Sequence, residues 1–224
     1  MKQYQSVLFD LDGTISRSAP GIIRSLRYGL AGVGIDEPED AALTRFIGPP
    51  LNVELRAAYG LPPEAIERVI SRFRDRYESE GIFECELYPG IAELIRSCAA
   101  AGCRLAVASS KPEPHVRRLM AHFGLAPCFA VISGSRIEDE LDNRTGADNK
   151  DRVIAKTLAL LGEGARPALM VGDTKYDILG AHHNGLDAAA VTYGYGTRAD
   201  LTAAGPDFIA DSPADLARLL LPQA

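Results

Sequence analysis

Two carboxylates stand two residues apart where an apolar run of the sequence gives way to a glycine turn. The run Val7-Leu8-Phe9 leads directly into Asp10-Leu11-Asp12-Gly13-Thr14. Carboxylates at the end of a buried strand are costly unless a cation or a reaction makes use of them. The spacing is typical of covalent phosphoryl transfer, in which Asp10 attacks phosphorus and Asp12 protonates the leaving oxygen and later activates water. An ordinary Asp-Gly turn after a strand is the alternative, and the rest of the chain must decide between the two.

A second apolar run ends in the same way. Asp173 follows Val171-Gly172, and Asp177 lies four residues further along, about one helical turn away. Together with Asp10, Asp173 would supply the hard oxygen ligands that Mg²⁺ prefers, while Asp177 would orient a nearby lysine or a metal-bound water. A helix cap and a solvated carboxylate would explain the two residues separately, but two acidic pairs after two apolar runs favour one shared site.

Serines and lysines are the candidates for holding a phosphoryl group. Ser109 and Ser110 follow the apolar run 104–108, where hydroxyls and backbone N–H groups at a helix start can bind phosphate oxygens. A helix cap explains both serines equally well. Lys150 stands near a predicted helix start, where a cation opposes the helix dipole. We interpret Lys150 as the cation that neutralises the phosphoryl oxygens, with Lys111 as second choice; a solvated surface lysine is the simpler alternative.

The elements that would position these residues alternate between strands and helices from residue 88 onward. Strands are predicted at 104–108, 129–132, 168–171 and 188–191, and helices at 91–101, 113–122, 151–161 and 176–183. Apolar strands between amphipathic helices predict an α/β fold with a Rossmann-like, doubly wound parallel sheet covered on both faces. Because ligands bind outside the carboxyl ends of such strands, the candidate residues should meet at one edge of the sheet.

The pattern between residues 16 and 85 is helical, and no strand is predicted there. Helices are expected at 20–32 and 63–80, with a stiff Gly-Pro-Pro loop between them. We therefore divide the chain into a core, residues 1–15 and 86–224, and an inserted all-helical cap, residues 16–85. The candidates for substrate contact in this cap are Arg45, Asn52, Arg56 and Tyr77, of which Arg45 is preferred.

Composition limits the classes of partner. The chain has 224 residues and a formal net charge of −6, and its basic residues are scattered, so nucleic acid is not an expected partner. No apolar stretch approaches the roughly 20 residues of a membrane span. The four cysteines form no metal-like or Cys-x-x-Cys pair, so we expect reduced thiols and a cytoplasmic protein. A monomer and a homodimer are both compatible with the sequence.

In this order, the chemical segments resemble the motifs of the haloacid dehalogenase-like hydrolase superfamily, and the resemblance covers nearly the whole chain. Asp10 to Thr14 match the first motif, Ser109 the second, Lys150 the third, and Gly172-Asp173 with Asp177 the fourth. The resemblance implies a mobile cap that closes over the substrate and a requirement for Mg²⁺. It also implies that Asp10 is the nucleophile, that Asp12 is the acid and base, and that the metal is held by Asp10, the Asp12 backbone carbonyl and Asp173.

Shorter segments resemble the phosphoglycolate phosphatase-like branch, whose bacterial members include nucleoside 5′-monophosphatases. They are Tyr88-Pro89-Gly90-Ile91, Ala108-Ser109-Ser110-Lys111-Pro112, Tyr193-Gly194-Tyr195-Gly196 and the Gly-Pro-Pro loop. Arg17 departs from the pattern, which often has aspartate there. The expected activity is Mg²⁺-dependent hydrolysis of a small phosphorylated metabolite. A nucleoside 5′-monophosphatase, a β-phosphoglucomutase-like phosphomutase and a non-catalytic phosphate-binding regulatory protein remain alternatives.

Overall fold

The computed structural model describes residues 4–49, 51–136 and 146–221, without the side chains of residues 146–148. Pro50 of the predicted stiff loop, residues 137–145 and both chain ends therefore lie outside the described residues. Strands in the described part are β1 (Ser6–Phe9), β2 (Ser16–Arg17), β3 (Glu86–Leu87), β4 (Arg104–Pro112), β5 (Val131–Ser135), β6 (Ala168–Gly172), β7 (Asp187–Val191) and β8 (Phe208–Ala210).

Helices fall into two groups. Those between β2 and β3 are α1 (Ala19–Ala31), α2 (Asp40–Thr44), α3 (Leu51–Tyr59) and α4 (Pro63–Ser79). Those that follow are α5 (Ile91–Ala100), α6 (Glu113–His122), α7 (Gly146–Leu161), α8 (Lys175–His183), α9 (Arg198–Ala203) and α10 (Pro213–Leu220). None of the described helices is both long enough and apolar enough to cross a membrane.

Six parallel strands form the central sheet in the order β5-β4-β1-β6-β7-β8. β1 lies between β4 and β6, with Phe9 opposite Val107 on one side and Val171 on the other. This register brings the carboxyl ends of three neighbouring strands to one edge. The residues that follow Phe9, Val107 and Val171 must therefore lie close together.

Helices cover both faces of the sheet because every strand alternates its apolar side chains. In β1, Val7 and Phe9 belong to one buried cluster with residues of α5, α6 and α10, whereas Leu8 belongs to another with residues of α7, α8 and α9. A parallel sheet with helices on both faces confirms the predicted Rossmann-like α/β class.

The α1–α4 insertion packs through one apolar stripe. In α4 the predicted stripe Ile66, Val69, Ile70, Phe73 and Tyr77 is buried. α4 lies so close to α1 that a Cβ on Gly29 would stand 2.6 Å from the Val69 carbonyl oxygen. The helical character predicted for this segment is therefore observed, while its division from the core at residues 15 and 85 stays a prediction.

The expectation that no strand lies between residues 16 and 85 was wrong at the first two residues. Ser16 and Arg17 form β2, which pairs antiparallel with β3 through Ser16–Leu87 and Arg17–Glu86. The Tyr88 N–H donates to the Ile15 carbonyl next to this pair, at 3.1 Å. Two residues are too few to show the alternation that identifies a strand in sequence. The small sheet joins the two chain passages between the core and the insertion.

Element ends also differ from the predictions. β4 continues to Pro112 instead of ending at residue 108, with a register shift against β5 between Ala108 and Pro112. Ser109 and Ser110 therefore lie within a strand and not at a helix start, since α6 begins at Glu113. The helix predicted at 151–161 begins earlier, at Gly146, which places Lys150 inside it.

Candidate active site

Asp10 leaves β1 into a buried position at the edge of the sheet. Its backbone N–H donates to the Val171 carbonyl oxygen at 2.9 Å, which fixes the residue against β6. The residue is 7% exposed. Burial raises the pKa of Asp10 to about 6; Lys150 opposes this shift and Asp177 adds to it. A buried carboxylate that faces other charges is the kind of group expected of a reactive site.

Lys150 lies between two of the predicted carboxylates. Its Nζ atom is 2.8 Å from Asp10 Oδ1 and 2.7 Å from Asp177 Oδ1, and it donates to the Ala108 carbonyl oxygen at 3.1 Å. The residue is 2% exposed. Burial would lower the pKa of Lys150, but Asp10 and Asp177 outweigh burial and raise it. The ammonium therefore stays charged, and its surroundings differ from those of a solvated surface lysine.

Asp177 serves two structural roles at the start of α8. Its Oδ2 atom accepts hydrogen bonds from the Thr174 N–H at 3.0 Å and the Thr174 hydroxyl at 2.7 Å, forming a capping box. Its other oxygen faces Lys150. A Cβ on Gly172 would stand 2.2 Å from Asp177 Cγ, so only glycine leaves room for the carboxylate. The predicted role of Asp177 in orienting Lys150 agrees with this contact.

Asp173 is fully buried within a shell of glycines that sequence reasoning did not single out as part of the site. Its Oδ2 atom accepts the Tyr195 N–H at 2.7 Å, and Oδ1 accepts the Thr14 hydroxyl at 3.3 Å. A Cβ on Gly13 would stand 2.0 Å from Asp173 Oδ2, and one on Gly194 would stand 2.3 Å from Asp173 Cβ. The sequence signal that could have identified this shell is a glycine next to an aspartate at each strand end, Gly13 after Asp12 and Gly172 before Asp173.

The acidic side chains form a cluster suited to a divalent cation. One oxygen each from Asp10, Asp173 and Asp177 lie within 4.8 Å of one another, and all three residues are buried. Among the described residues, Lys150 is the cation in contact with the cluster. Burial and the neighbouring carboxylates raise the pKa of Asp173 well above its usual value. A negative charge on Asp173 is therefore costly with one ammonium nearby, and a small divalent cation, which hard oxygen donors fit, would offset that cost.

Asp12 is not part of this cluster, and its carboxylate forms an ion pair with a different lysine. Lys111 Nζ lies 2.7 Å from Asp12 Oδ2, and the side chains are only 8% and 14% exposed. Lys111 therefore does not occupy the place beside Asp10 that the sequence left open to it. The resemblance implies that Asp12 gives its backbone carbonyl to the metal, and its carboxylate is paired with Lys111.

Ser109 and Ser110 lie beside these charges in the extended part of β4. Ser109 is 2% exposed, and its hydroxyl oxygen accepts the Lys111 N–H at 3.3 Å. The Ser110 carbonyl accepts the Ser135 hydroxyl at 2.8 Å, which holds this segment against β5. Both serines line the same cavity as Asp10, Asp12 and Lys150.

That cavity lies between the sheet edge and the insertion. Its apolar side comes from the insertion and consists of Ile22, Phe46, Ile47, Leu51, Ile70 and Phe73. Tyr77 and Arg74 of α4 also line it, and so does Asn149 of α7. The predicted cap candidate Tyr77 is thus brought to the site, and Arg74 is a lining residue that sequence reasoning missed.

The other cap candidates have different surroundings. Arg45 pairs with Glu54 at 3.1 Å, its side chain is 51% exposed, and it is not among the residues that line the cavity. Asn52 and Arg56 do not line it either. Arg17 is exposed in β2, with its guanidinium carbon 6.0 Å from the centre of the Tyr88 ring. Arg45 thus forms its ion pair with Glu54 of the next helix, α3, instead of facing the cavity.

The sequence pattern of the haloacid dehalogenase-like hydrolases matches residues 7–191 of this chain. The chain belongs to the haloacid dehalogenase-like hydrolase family. The solved structure described as a predicted phosphatase from Clostridium acetobutylicum superposes with a TM-score of 0.87 at 36% identity, covering 97% of this chain and 98% of that one. This family member therefore shares its fold, including the insertion, with that phosphatase.

Curated relatives of this family member carry several names. The 5′-nucleotidase of Pseudomonas aeruginosa is 37% identical over 217 residues, which cover 97% of this chain and 94% of the relative. The phosphoglycolate phosphatase of Mesorhizobium japonicum is 31% identical, covering 86% and 84%. Tyrosine-protein kinase PtkA of Mycobacterium tuberculosis is 41% identical, but the match covers 88% of this chain and only 64% of PtkA. The resemblance to the phosphoglycolate phosphatase-like branch is confirmed, and the chain is a phosphatase of this family.

Proposed function

We propose that this phosphatase is a Mg²⁺-dependent phosphomonoester hydrolase that works through an aspartyl-phosphate on Asp10. The observation that carries the proposal is the contact of Asp10 with Lys150 at 2.8 Å inside the cluster with Asp173 and Asp177. A nucleophilic carboxylate needs a cation beside it to let an anionic phosphate approach. Here the ammonium is buried and held by the core itself.

The predicted residues of the core have roles that their positions support. The Asp10 carboxylate attacks phosphorus, and the bond to the leaving oxygen breaks as Asp12 supplies a proton to that oxygen. Water then attacks the aspartyl-phosphate, with Asp12 taking the proton, and phosphate leaves. Ser109 and Ser110 hydroxyls and the Lys150 ammonium hold the phosphoryl oxygens during both steps. Arg45 lacks support for substrate contact because it pairs with Glu54.

The acidic cluster gives the proposed metal a place. Asp10, Asp173 and the Asp12 backbone carbonyl would hold Mg²⁺, which when bound supplies positive charge to the phosphoryl oxygens. Asp177 remains with Lys150 and Thr174. The glycine shell around Asp173 keeps that carboxylate within the cluster instead of turned toward solvent. Loss of activity in a chelator and recovery on adding Mg²⁺ is the expected result.

The nucleophile is tested with Asp10→Asn and p-nitrophenyl phosphate. Because the amide cannot form the acyl-phosphate, we expect kcat to fall by about 10⁴-fold or more. Asp207→Asn is the matched control, since Asp207 binds His182 and the Ala188 N–H away from the cavity lining. Full activity in Asp10→Asn would show that Asp10 is not the nucleophile.

A nucleoside 5′-monophosphate is the substrate class that one further observation favours. The cavity is also lined by the aromatic side chains Phe46, Phe73 and Tyr77, against which a nucleobase would bury apolar surface. The Pseudomonas aeruginosa relative is named a 5′-nucleotidase. We expect kcat/KM for nucleoside 5′-monophosphates to exceed that for phosphoglycolate, which has no base to pack against these aromatic side chains. A higher kcat/KM for phosphoglycolate would instead favour phosphoglycolate as the substrate.

The same panel separates the remaining alternatives. A phosphomutase would move label between sugar hydroxyls and release little free phosphate. A phosphate-binding regulatory protein would show no turnover on any phosphomonoester while still binding phosphate and Mg²⁺. Free phosphate released in proportion to substrate consumed is the outcome that the hydrolase proposal requires.

A further inference from the structure

Lys111 occupies a position in β4 that the local backbone is built to create. It lies in the stretch between Ala108 and Pro112 where the register against β5 shifts. A Cβ on Gly134 of β5 would stand 2.5 Å from the Lys111 carbonyl oxygen and 2.7 Å from the Glu113 backbone nitrogen. Only glycine at 134 therefore lets this segment come close enough to carry the Lys111 side chain toward β1.

The Lys111 ammonium forms a buried ion pair with Asp12. It lies 2.7 Å from Asp12 Oδ2, while Asp12 Oδ1 is buried without a hydrogen-bond partner. Burial alone would lower the pKa of Lys111, but Asp12 and Tyr77 outweigh burial and raise it. One contact thus fixes the direction of a carboxylate whose second oxygen makes no hydrogen bond within the described residues, at a residue that lines the cavity.

The same ammonium also touches the insertion. Lys111 Nζ lies 4.9 Å from the centre of the Tyr77 ring, within the range of a cation–π contact. Tyr77 belongs to α4 and is only 3% exposed. Lys111 is therefore the link between a buried aromatic ring of the helical insertion and the acid and base of the core.

We infer that Lys111 is a positioning residue for Asp12, and that Tyr77 keeps the Lys111 ammonium in place, so that Asp12 takes its working orientation only with α4 against the core. The inference rests on the proposed function, because it gives Asp12 a proton to transfer. Lys111 acts through Asp12 and needs no contact with the phosphoryl group. Lys150 already holds the place beside Asp10.

A leaving-group comparison separates positioning of Asp12 from a general loss of structure. The p-nitrophenolate anion leaves phosphorus without a proton, whereas the benzyl alkoxide needs one. The ratio of kcat/KM for p-nitrophenyl phosphate to that for benzyl phosphate therefore reports proton donation by Asp12. Both substrates carry one aromatic ring of similar size, so changes in the cavity affect them alike.

Lys111→Met should lower kcat/KM for benzyl phosphate about 10- to 100-fold, part of the 10²- to 10⁴-fold that a positioned acid contributes, and change p-nitrophenyl phosphate less than about 3-fold. Asp12→Asn should show the same selectivity more strongly. Tyr77→Leu removes the ring and should lower the benzyl rate about 2- to 30-fold in the same selective way. Arg218→Met is the control, because its ion pair with Asp215 lies outside the cavity lining and away from β4, and its loss should leave the ratio unchanged.

Thermal unfolding establishes that each variant is folded, and Lys111→Gln serves as the second variant if Lys111→Met is not. Equal falls on both substrates, or an unchanged benzyl rate, would overturn the positioning role. A selective fall in Lys111→Met with none in Tyr77→Leu would overturn the link to the insertion. Activity on both substrates that survives Asp10→Asn would instead overturn the proposed function, and the inference with it.

Discussion

Two regions flank the end of β1, and in each a buried lysine holds one of the aspartates that follow the strand. On one side, Lys150 contacts Asp10, Asp177 and the Ala108 carbonyl, all of them in the core. On the other side, Lys111 contacts Asp12 of the core and the ring of Tyr77 in the insertion. The first lysine is anchored entirely within one body of the protein, and the second is shared between two.

The two lysines therefore support different parts of the proposed reaction. Groups that stabilise charge at the phosphorus work best when they are held before substrate arrives, and the core contacts of Lys150 provide that. Proton donation is needed only when the cavity is closed to water, and the contact of Lys111 with α4 would provide that condition. The following predictions test the two sides separately, from the largest expected effect to the smallest.

Lys150→Met should have the largest effect, because it removes the cation beside Asp10 and leaves two buried carboxylates unpaired. We expect kcat to fall about 10²- to 10³-fold or more on every phosphomonoester, without selectivity for the leaving group. The unfolding free energy should fall by about 3–5 kcal/mol, the usual result of breaking a buried pair. Steady-state kinetics and urea unfolding measure the two losses.

Lys150→Met has Lys156→Met as its control on the same helix, since Lys156 is 44% exposed and pairs with Glu113. A Lys150→Met enzyme within about threefold of the wild-type rate would mean that the core-anchored side does not stabilise the transition state.

Asp177→Asn should weaken the same side less. The amide keeps the shape of the side chain but removes the charge that holds Lys150 at 2.7 Å. A residue that orients a catalytic group typically accounts for about 10- to 100-fold in activity or metal affinity, so we expect kcat to fall by that amount. Mg²⁺ titration of the activity shows whether metal affinity falls as well.

The matched control is Asp215→Asn, which removes the same charge from an equivalent capping position at the start of α10, where Asp215 accepts the Ser212 hydroxyl at 2.8 Å. If both variants lost activity equally, the effect of Asp177 would be one of helix capping, and its contact with Lys150 would be irrelevant.

Gly194→Ala tests whether Asp173 is held rigidly in the core. The added Cβ would stand 2.3 Å from Asp173 Cβ and 2.4 Å from the Gly13 carbonyl oxygen, so one of them must move. We expect a loss of about 1–3 kcal/mol in unfolding free energy and a weaker response of activity to Mg²⁺.

Gly162→Ala is the comparison for this variant, because its Cβ would meet nothing within 4 Å and only its φ of +72° is unfavourable. Its cost should be about 1–2 kcal/mol of backbone strain with an unchanged Mg²⁺ response. An unchanged Mg²⁺ response in Gly194→Ala would show that Asp173 tolerates displacement.

Glu84→Gln should have the smallest effect, because it alters only the ion pairs within the insertion. The Glu84 carboxylate accepts two hydrogen bonds from Arg76 at 3.0 Å and one from Arg24 at 3.1 Å. Hydrogen bonds from Arg76 and Arg24 lower the pKa of Glu84, although burial opposes them. At neutral pH we expect a loss of about 1 kcal/mol or less in unfolding free energy, since the pair is partly exposed.

The sign of the pH dependence follows from that lowered pKa. The stability from Glu84 is fully present above its ordinary pKa of 4.5 and is lost as pH falls through the lower pKa of the folded protein. The difference between wild type and Glu84→Gln should therefore shrink between about pH 5 and about pH 3. A constant difference would mean that the carboxylate charge contributes nothing.

The sequence was sufficient to predict which strand ends meet. Asp10, Ser109 and Asp173 each follow a run of apolar β-formers, and parallel strands place their carboxyl ends at one edge. Once the order of the sheet puts β1 between β4 and β6, these residues become neighbours without any further information. Lys150 contacts Asp10 because α7, which carries Lys150, packs beside that edge of the sheet.

The partner of Lys111 could not be predicted, for a physical reason. Lys111 and Asp12 are 99 residues apart, and their contact depends on a strand that continues past residue 108 with a shifted register. Apolar patterning ends at residue 108, so it contains no trace of that continuation. The preference for Arg45 among the cap residues was not supported and Arg74 was missed for a similar reason, since the face that a helix of the insertion turns to the cavity depends on packing between helices.

The central claim is that Asp10 carries the phosphoryl group, and chemical trapping measures this most directly. Wild-type enzyme would be acid-quenched during turnover in Mg²⁺, and the acyl-phosphate reduced with borohydride, which converts the modified aspartate to homoserine. We predict that peptide mass spectrometry finds homoserine at position 10, with unmodified Asp12 and Asp173, and none in Asp10→Asn. Turnover without homoserine at position 10, or with the modification at another aspartate, would contradict the account.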